Sequence, residues 1–146
     1  MKISILLPYK ENFSLNKSGA VSLFVNDVIK NSPQKQNIYV FGKTDENNYL
    51  DKNYINLNFK EKFLKSNSKV YINNFLKHEE KDNSDIIEVH NRPAYIDLIS
   101  KNTKSKIILY FHNDPLSMNG SKTLLERNSL LSIVDHFKFN SRWSLN

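Results

Sequence analysis

The sequence predicts an α/β fold, a single Rossmann-like, doubly wound and mostly parallel sheet with helices on both faces. Two observations carry this. Short runs rich in Ile and Val alternate with amphipathic segments along the chain, and the runs read as apolar throughout, as strands covered on both faces do. Right-handed crossovers then give the expected strand order 3-2-1-4-5-6.

Residues 2–7 form an apolar run stopped by Pro8 and read as a buried strand. A polar loop from Tyr9 to Ser18 follows, and Val21, Phe24, Val25, Val28 and Ile29 then recur at helical spacing. Ser18 is the expected N-cap of that helix, and Pro33 stops the turn after it. Residues 37–42, closed by Gly42, are the second strand, and residues 54–57 a short third one. Residues 69–81 read as a helix with Tyr71, Phe75 and His78 on one side. Asp85–Val89 is a strand, Pro93–Ser100 a short helix with proline at its first position, and Lys106–Phe111 another strand. Residues 121–133 form a helix bearing Leu124, Leu125, Leu131 and Ile133, and residues 134–139 the last strand. Ser141 caps one further helical turn that contains Trp143 and then stops. One turn is not stable alone, so the 146 residues are expected to be one domain, 1–146, truncated at its C-terminal end.

Composition narrows the classes of function. With no cysteine, a disulfide framework and any thiolate site are excluded. No apolar run approaches a membrane span, and the N-terminus lacks a secretory signal, so a cytoplasmic location is expected. The net charge is +6, with a pI near 9.4. Only Arg92, Arg127 and Arg142 are arginine. A lysine-dominated field attracts anions such as phosphates and lipid headgroups in general and does not supply bidentate base readout, so no nucleic-acid partner is expected. Codon bias in an AT-rich genome would produce the same Lys, Asn and Ile excess. Lys60, Lys62, Lys65 and Lys69 around Phe59 and Phe63 read either as a solvated helix face or as an interfacial segment at anionic lipid.

In such sheets ligands bind beyond the carboxyl ends of the strands. The loop after the first strand holds Lys17-Ser18-Gly19 immediately before a helix, where a glycine permits close approach and free N–H groups favour an anion. Neither G-x-G-x-x-G nor a P-loop pattern is present. After the next two long strands come His90-Asn91-Arg92-Pro93 and His112-Asn113-Asp114-Pro115, 22 residues apart in register and therefore at one sheet edge. Imidazoles and amides there suit hydroxyl groups. The two histidines with Asp114 could also form a facial triad for a metal, on a spacing that is not diagnostic. His78 reads as solvated and His136 as structural.

These strand-end segments resemble the N-terminal domain of glycosyltransferase family 4, retaining enzymes of the GT-B class. The resemblance rests on Lys17-Ser18-Gly19-Ala20, where that family usually has a Gly-Gly pair, and on Asp85-Ile86-Ile87-Glu88-Val89-His90. It continues through Lys106–Asp114 and Asp135–Ser141, in order over nearly the whole chain apart from residues 43–84. It implies an acceptor-binding half that works with a separate nucleotide-sugar domain in cell-surface polysaccharide or lipopolysaccharide synthesis. His112 would contact the transferred sugar or the reacting hydroxyl. His90, Asn91, Arg92, Asn113 and Asp114 would line the acceptor pocket, Ser18 and Gly19 would lie near the donor diphosphate, and Ser141 and Arg142 near the cleft. No metal is implied, since the nucleotide sugar is a co-substrate whose phosphates meet backbone dipoles and basic side chains. A sugar or lipid-linked acceptor is implied as partner, with peripheral contact at the inner face of the plasma membrane. The piece alone is expected to be inactive. Three other readings stay open: a stand-alone Rossmann- or flavodoxin-like binding module, a nucleic-acid binder argued from pI alone, and a GT-B epimerase.

Overall fold

The computed structural model describes residues 1–140. Six strands form one sheet, all parallel, in the order β3-β2-β1-β4-β5-β6. They are β1 (Ile3–Leu6), β2 (Ile38–Gly42), β3 (Tyr54–Asn56), β4 (Ile86–His90), β5 (Lys106–Phe111) and β6 (His136–Phe139). The helices are α1 (Ala20–Lys30), α2 (Asn67–Lys81), α3 (Ile96–Asn102) and α4 (Leu124–Ile133). The predicted fold class and strand order are therefore both observed. No helix among the described residues is long and apolar enough to cross a membrane. The expected cap at Ser141 and the turn holding Arg142 and Trp143 lie outside the described residues.

The helices are divided unequally between the faces. On one side α1 buries Val25 and Ile29 against Ile5, Leu7, Ile38 and Val40, with Phe13 and Tyr54 completing the cluster. On the other side Tyr71, Phe75, Ile96, Ile99 and Leu130, from α2, α3 and α4, pack on Leu6, Phe41, Ile87, Val89, Ile107, Leu109 and Phe111. A buried carboxylate ties the far end of α2 to the sheet, where Glu79 accepts from Ser4 Oγ at 2.6 Å and from the Ser84 amide at 2.9 Å. With both carboxylate oxygens facing donors, the buried group avoids the desolvation cost that an orphan would carry.

Several local expectations change. The N-cap of α1 is Gly19, in extended conformation, and not Ser18; a carboxylate from elsewhere in the chain takes the capping role. Pro93–Tyr95 is a 3₁₀ turn that leads into α3. Residues 57–65 form no helix, so a solvated helix face is not what their lysines occupy. On α4 the expected apolar face is turned outward: Leu124, Leu125 and Leu131 are exposed, and the helix is held to the core by Leu130 and half-buried Ile133. Its start is set instead by a capping box between Thr123 and Glu126.

The reading of the strands as apolar throughout also fails on one face. In β4, β5 and β6 one side carries Ile87, Val89, Ile107, Leu109, Phe111, Phe137 and Phe139 against the helices. The other side carries Glu88, His90, Tyr110 and Lys138. Among the described residues the edge of α1 covers that side, through Phe24 and Val28, so polar groups there keep contact with water or with one another.

Candidate functional site

Parallel register brings the polar side of these strands together. Glu88 pairs across from Ile108, and His90 from Tyr110, which in turn lies beside Lys138. Side chains two apart share a strand face, so Glu88 and His90 point the same way, as do Tyr110 and His112. The result is a continuous chain of polar contacts. Lys138 Nζ lies 2.9 Å from Glu88 Oε2, Glu88 Oε1 lies 2.7 Å from His90 Nε2, and His90 Nδ1 lies 2.8 Å from His112 Nε2. The chain ends where the Asn140 amide nitrogen meets His112 Nδ1 at 3.0 Å.

The protons in this chain follow from its ends. Burial opposes the charge on Glu88, but hydrogen bonds and attraction from His90 and Lys138 hold its carboxyl at about 2. An ionised carboxylate only accepts, so His90 donates from Nε2, and in that tautomer of the singly protonated ring its Nδ1 is an acceptor. His112 must then donate from Nε2, which leaves its Nδ1 lone pair facing the Asn140 amide. Desolvation, and then repulsion from His90, lower the His112 imidazole to about 4, with Glu88 pulling the other way. Both rings are thus fixed in one tautomer, and His112 is neutral at ordinary pH.

Packing immobilises the rings. Tyr110 stacks on His112 and His90, with centroids 4.5 and 5.1 Å apart and interplanar angles of 16° and 10°. Phe24 of α1 sets its edge against His112 at 5.0 Å. His90 is 1% exposed, and His112 is half-buried at the end of β5.

The turn after β4 supports the same residue from below. Asn91 adopts a left-handed backbone at φ 57°, a conformation Asn tolerates better than other side-chain-bearing residues. Its Oδ1 accepts from the amides of His112 and Asn113, at 3.1 and 3.3 Å, and its Nδ2 donates to Asn113 Oδ1 at 2.8 Å. The equivalent loops after β4 and β5 are therefore clasped together by their asparagines.

Arg92 departs from the histidines. It donates to the Asn91 carbonyl at 2.7 Å and lines a cleft of about 680 Å³ at the helix-covered side of the same edge. Asn91, Tyr9, Lys69, Ser66 and Asn119 share that cleft, a size within the range of small-molecule sites. The floor beyond it is tight. A Cβ at Gly120, whose φ is +95°, would meet the Ala94 backbone at 2.5 Å, so only glycine lets the loop after β5 close on the turn after β4. Asp114 caps the 3₁₀ turn Pro115–Ser117 through the Leu116 amide at 2.9 Å. With the two imidazoles bonded to each other and Asp114 so engaged, the triad considered for a metal is not assembled, and no group of three such ligands converges among the described residues.

At α1 the structure holds a feature that spacing did not reveal. Glu11 Oε1 accepts from the Ser22 amide at 3.0 Å, and a Cβ at Gly19 would lie 2.3 Å from the same oxygen. The N-terminus of α1, expected to face a diphosphate through Ser18 and Gly19, thus already holds one of the chain's own carboxylates.

The edge therefore brings His90, Asn91, His112 and Asn113 together, sets Arg92 on the adjoining cleft, and leaves Asp114 as a turn cap. The residues missed from sequence are Glu88, Tyr110, Lys138, Asn140 and Glu11. Alternation of polar residues in Ile86–His90 and His136–Asn140 was the signal for Glu88, Lys138 and Asn140. No family model, curated protein or solved structure matches the chain.

Proposed function

We propose that the chain is the acceptor-binding half of a retaining, nucleotide-sugar-dependent glycosyltransferase of cell-surface glycan synthesis. The observation that supports this best is His112, a neutral, tautomer-fixed imidazole at the carboxyl edge of a parallel sheet. A neutral Nδ1 is a hydrogen-bond acceptor suited to a sugar hydroxyl, which would take the place of the Asn140 amide. In the transfer, the bond from the sugar's anomeric carbon to the donor phosphate breaks and a bond to the acceptor oxygen forms on the same face. The hydroxyl proton passes to the leaving phosphate. His112 orients the hydroxyl, His90 and Glu88 hold His112, and Arg92 and Asn91 contact the rest of the acceptor in the adjoining cleft. The nucleotide sugar is a co-substrate held mainly by a second domain, with no metal ion in the scheme.

The test is ligand mapping by NMR with the described chain, using sugar and lipid-pyrophosphate-sugar acceptors. Shifts centred on Asn91, Arg92 and His112, abolished by His112→Ala with the fold intact, are expected, with no turnover of nucleotide sugars by the chain alone. Binding confined to other surfaces, or turnover without a donor domain, would refute this reading.

One observation favours the alternative, a Rossmann-like binding module without catalysis. The Glu11 carboxylate occupies the α1 N-terminus, so a diphosphate there would first have to displace it. Acceptor binding that is unaffected by any nucleotide sugar or donor domain would support that alternative.

A further inference from the structure

The segment between β3 and α2 is anchored at its base and apolar at its tip. Phe59 stacks on Tyr9 with centroids 6.0 Å apart. Glu61 receives the Tyr9 hydroxyl and lies 3.6 Å from Lys43 Nζ, and the Lys62 amide donates to Asn67 Oδ1 at 3.2 Å. These contacts hold the loop on both sides. Between them Phe63 and Leu64 project fully into solvent, at 101% and 92% exposure.

Two adjacent large apolar side chains with this exposure do not contribute to the core, and the other such adjacent pair among the described residues, Leu124 and Leu125, lies on α4 and not at a loop tip. Their surroundings are cationic. Lys60, Lys62 and Lys65 flank the tip, and Lys69 follows on the first turn of α2. The one acidic residue within the loop, Glu61, is engaged by Tyr9 and Lys43 and does not offset them. Apolar groups for the acyl boundary, ringed by lysines at headgroup level, match an anionic bilayer in both polarity and charge.

We propose that the Phe63–Leu64 tip docks this protein on anionic lipid surfaces, with the surrounding lysines drawn to the headgroups. Ser66 and Lys69, at the foot of the loop, line the cleft that also holds Arg92, so docking brings the mouth of that cleft to the bilayer. The inference concerns the loop alone and stands whether or not the chain serves a glycosyltransferase.

Co-sedimentation of the chain with phosphatidylcholine vesicles, with and without phosphatidylglycerol, tests it. Binding is expected on the anionic vesicles, weakened by salt and by Lys60→Glu with Lys65→Glu, and weak on neutral ones. Phe63→Ser with Leu64→Ser should lower the anionic partition coefficient by more than about tenfold. Since these side chains touch nothing in the core, the variant keeps its circular dichroism spectrum. Absent binding to anionic vesicles, equal binding to neutral ones, or an unaffected double-serine variant would each overturn the proposal. So would self-association abolished by the serines without vesicle binding, which would assign the tip to a second copy.

Discussion

Nδ1 of His90 lies 2.8 Å from Nε2 of His112, although the two residues are 22 positions apart in the chain. Neither ring could hold this relation alone. The register of β4 on β5 aligns them, Tyr110 stacks on both, and Glu88 dictates which nitrogen of His90 carries the proton.

The first prediction concerns those protons. Nitrogen-15 NMR near neutral pH should find the His112 ring neutral with its proton on Nε2, and His112 should titrate near 4, below the ~6.5 of a free imidazole. Glu88→Leu removes the one charge that favours the imidazolium, so the His112 midpoint should fall further. It should also free the His90 tautomer. A His112 midpoint near 6.5 would show that the relay does not form in solution.

Stability should fall as the solution is acidified, in two steps. His112 is depressed to about 4 in the folded chain, so the unfolded chain binds its proton first. Stability is then lost between roughly pH 6.5 and 4. Glu88 is depressed to about 2, and its contribution, full above the ordinary carboxylate range, is lost as pH falls towards 2. Each step is about 3 kcal/mol at most, and the His112 step is smaller because solvent screens the half-exposed ring. Urea midpoints at pH 7 and 4.5 should differ clearly in the parent chain and less in His112→Phe, which cannot titrate. An equal difference in both would contradict the assignment.

How legible this was in the sequence differs between fold and site. Parallel strands advertise themselves through Ile- and Val-rich runs at crossover spacing, and β1, β2, β4 and β5 lie within a residue or two of where those runs predict them. The pairing of His90 with His112 was visible as two similar tetrapeptides one strand–helix–strand period apart. Glu88 was not, because a single acidic residue between Ile87 and Val89 looks like noise until β4 is seen to turn one side towards His90, Tyr110 and Lys138. The α4 leucines misled for a related reason. Apolar residues at helical spacing mark a face, but whether anything covers that face is a tertiary fact.

The clasp at Asn91 gives a third prediction. Asn91→Ala loses the bonds to the His112 and Asn113 amides and also puts at φ 57° a residue that tolerates left-handed backbone less well than asparagine. Asn91→Gly loses the same bonds without that strain. Alanine should therefore be the more destabilising by about 1 kcal/mol, measured by urea denaturation. Equal costs would mean the backbone at residue 91 relaxes, and that the asparagine is kept for its side chain alone.

The α1 N-terminus supplies the last prediction, through the relation of Glu11 to Gly19. Glu11→Ala removes the carboxylate that accepts from the Ser22 amide and faces the positive end of the helix, a loss of about 1 kcal/mol. Gly19→Ala should cost a similar amount for the same reason, since its Cβ would stand 2.3 Å from Glu11 Oε1 and expel the carboxylate, while φ −82° imposes no strain of its own. Once Glu11 is gone, the methyl group at residue 19 has nothing to displace. The double variant should then be barely less stable than Glu11→Ala alone, giving a coupling of about 1 kcal/mol in a double-mutant cycle. Additive costs would show that Gly19 is needed for the path of its backbone, and that the carboxylate is not what fills the space beside it.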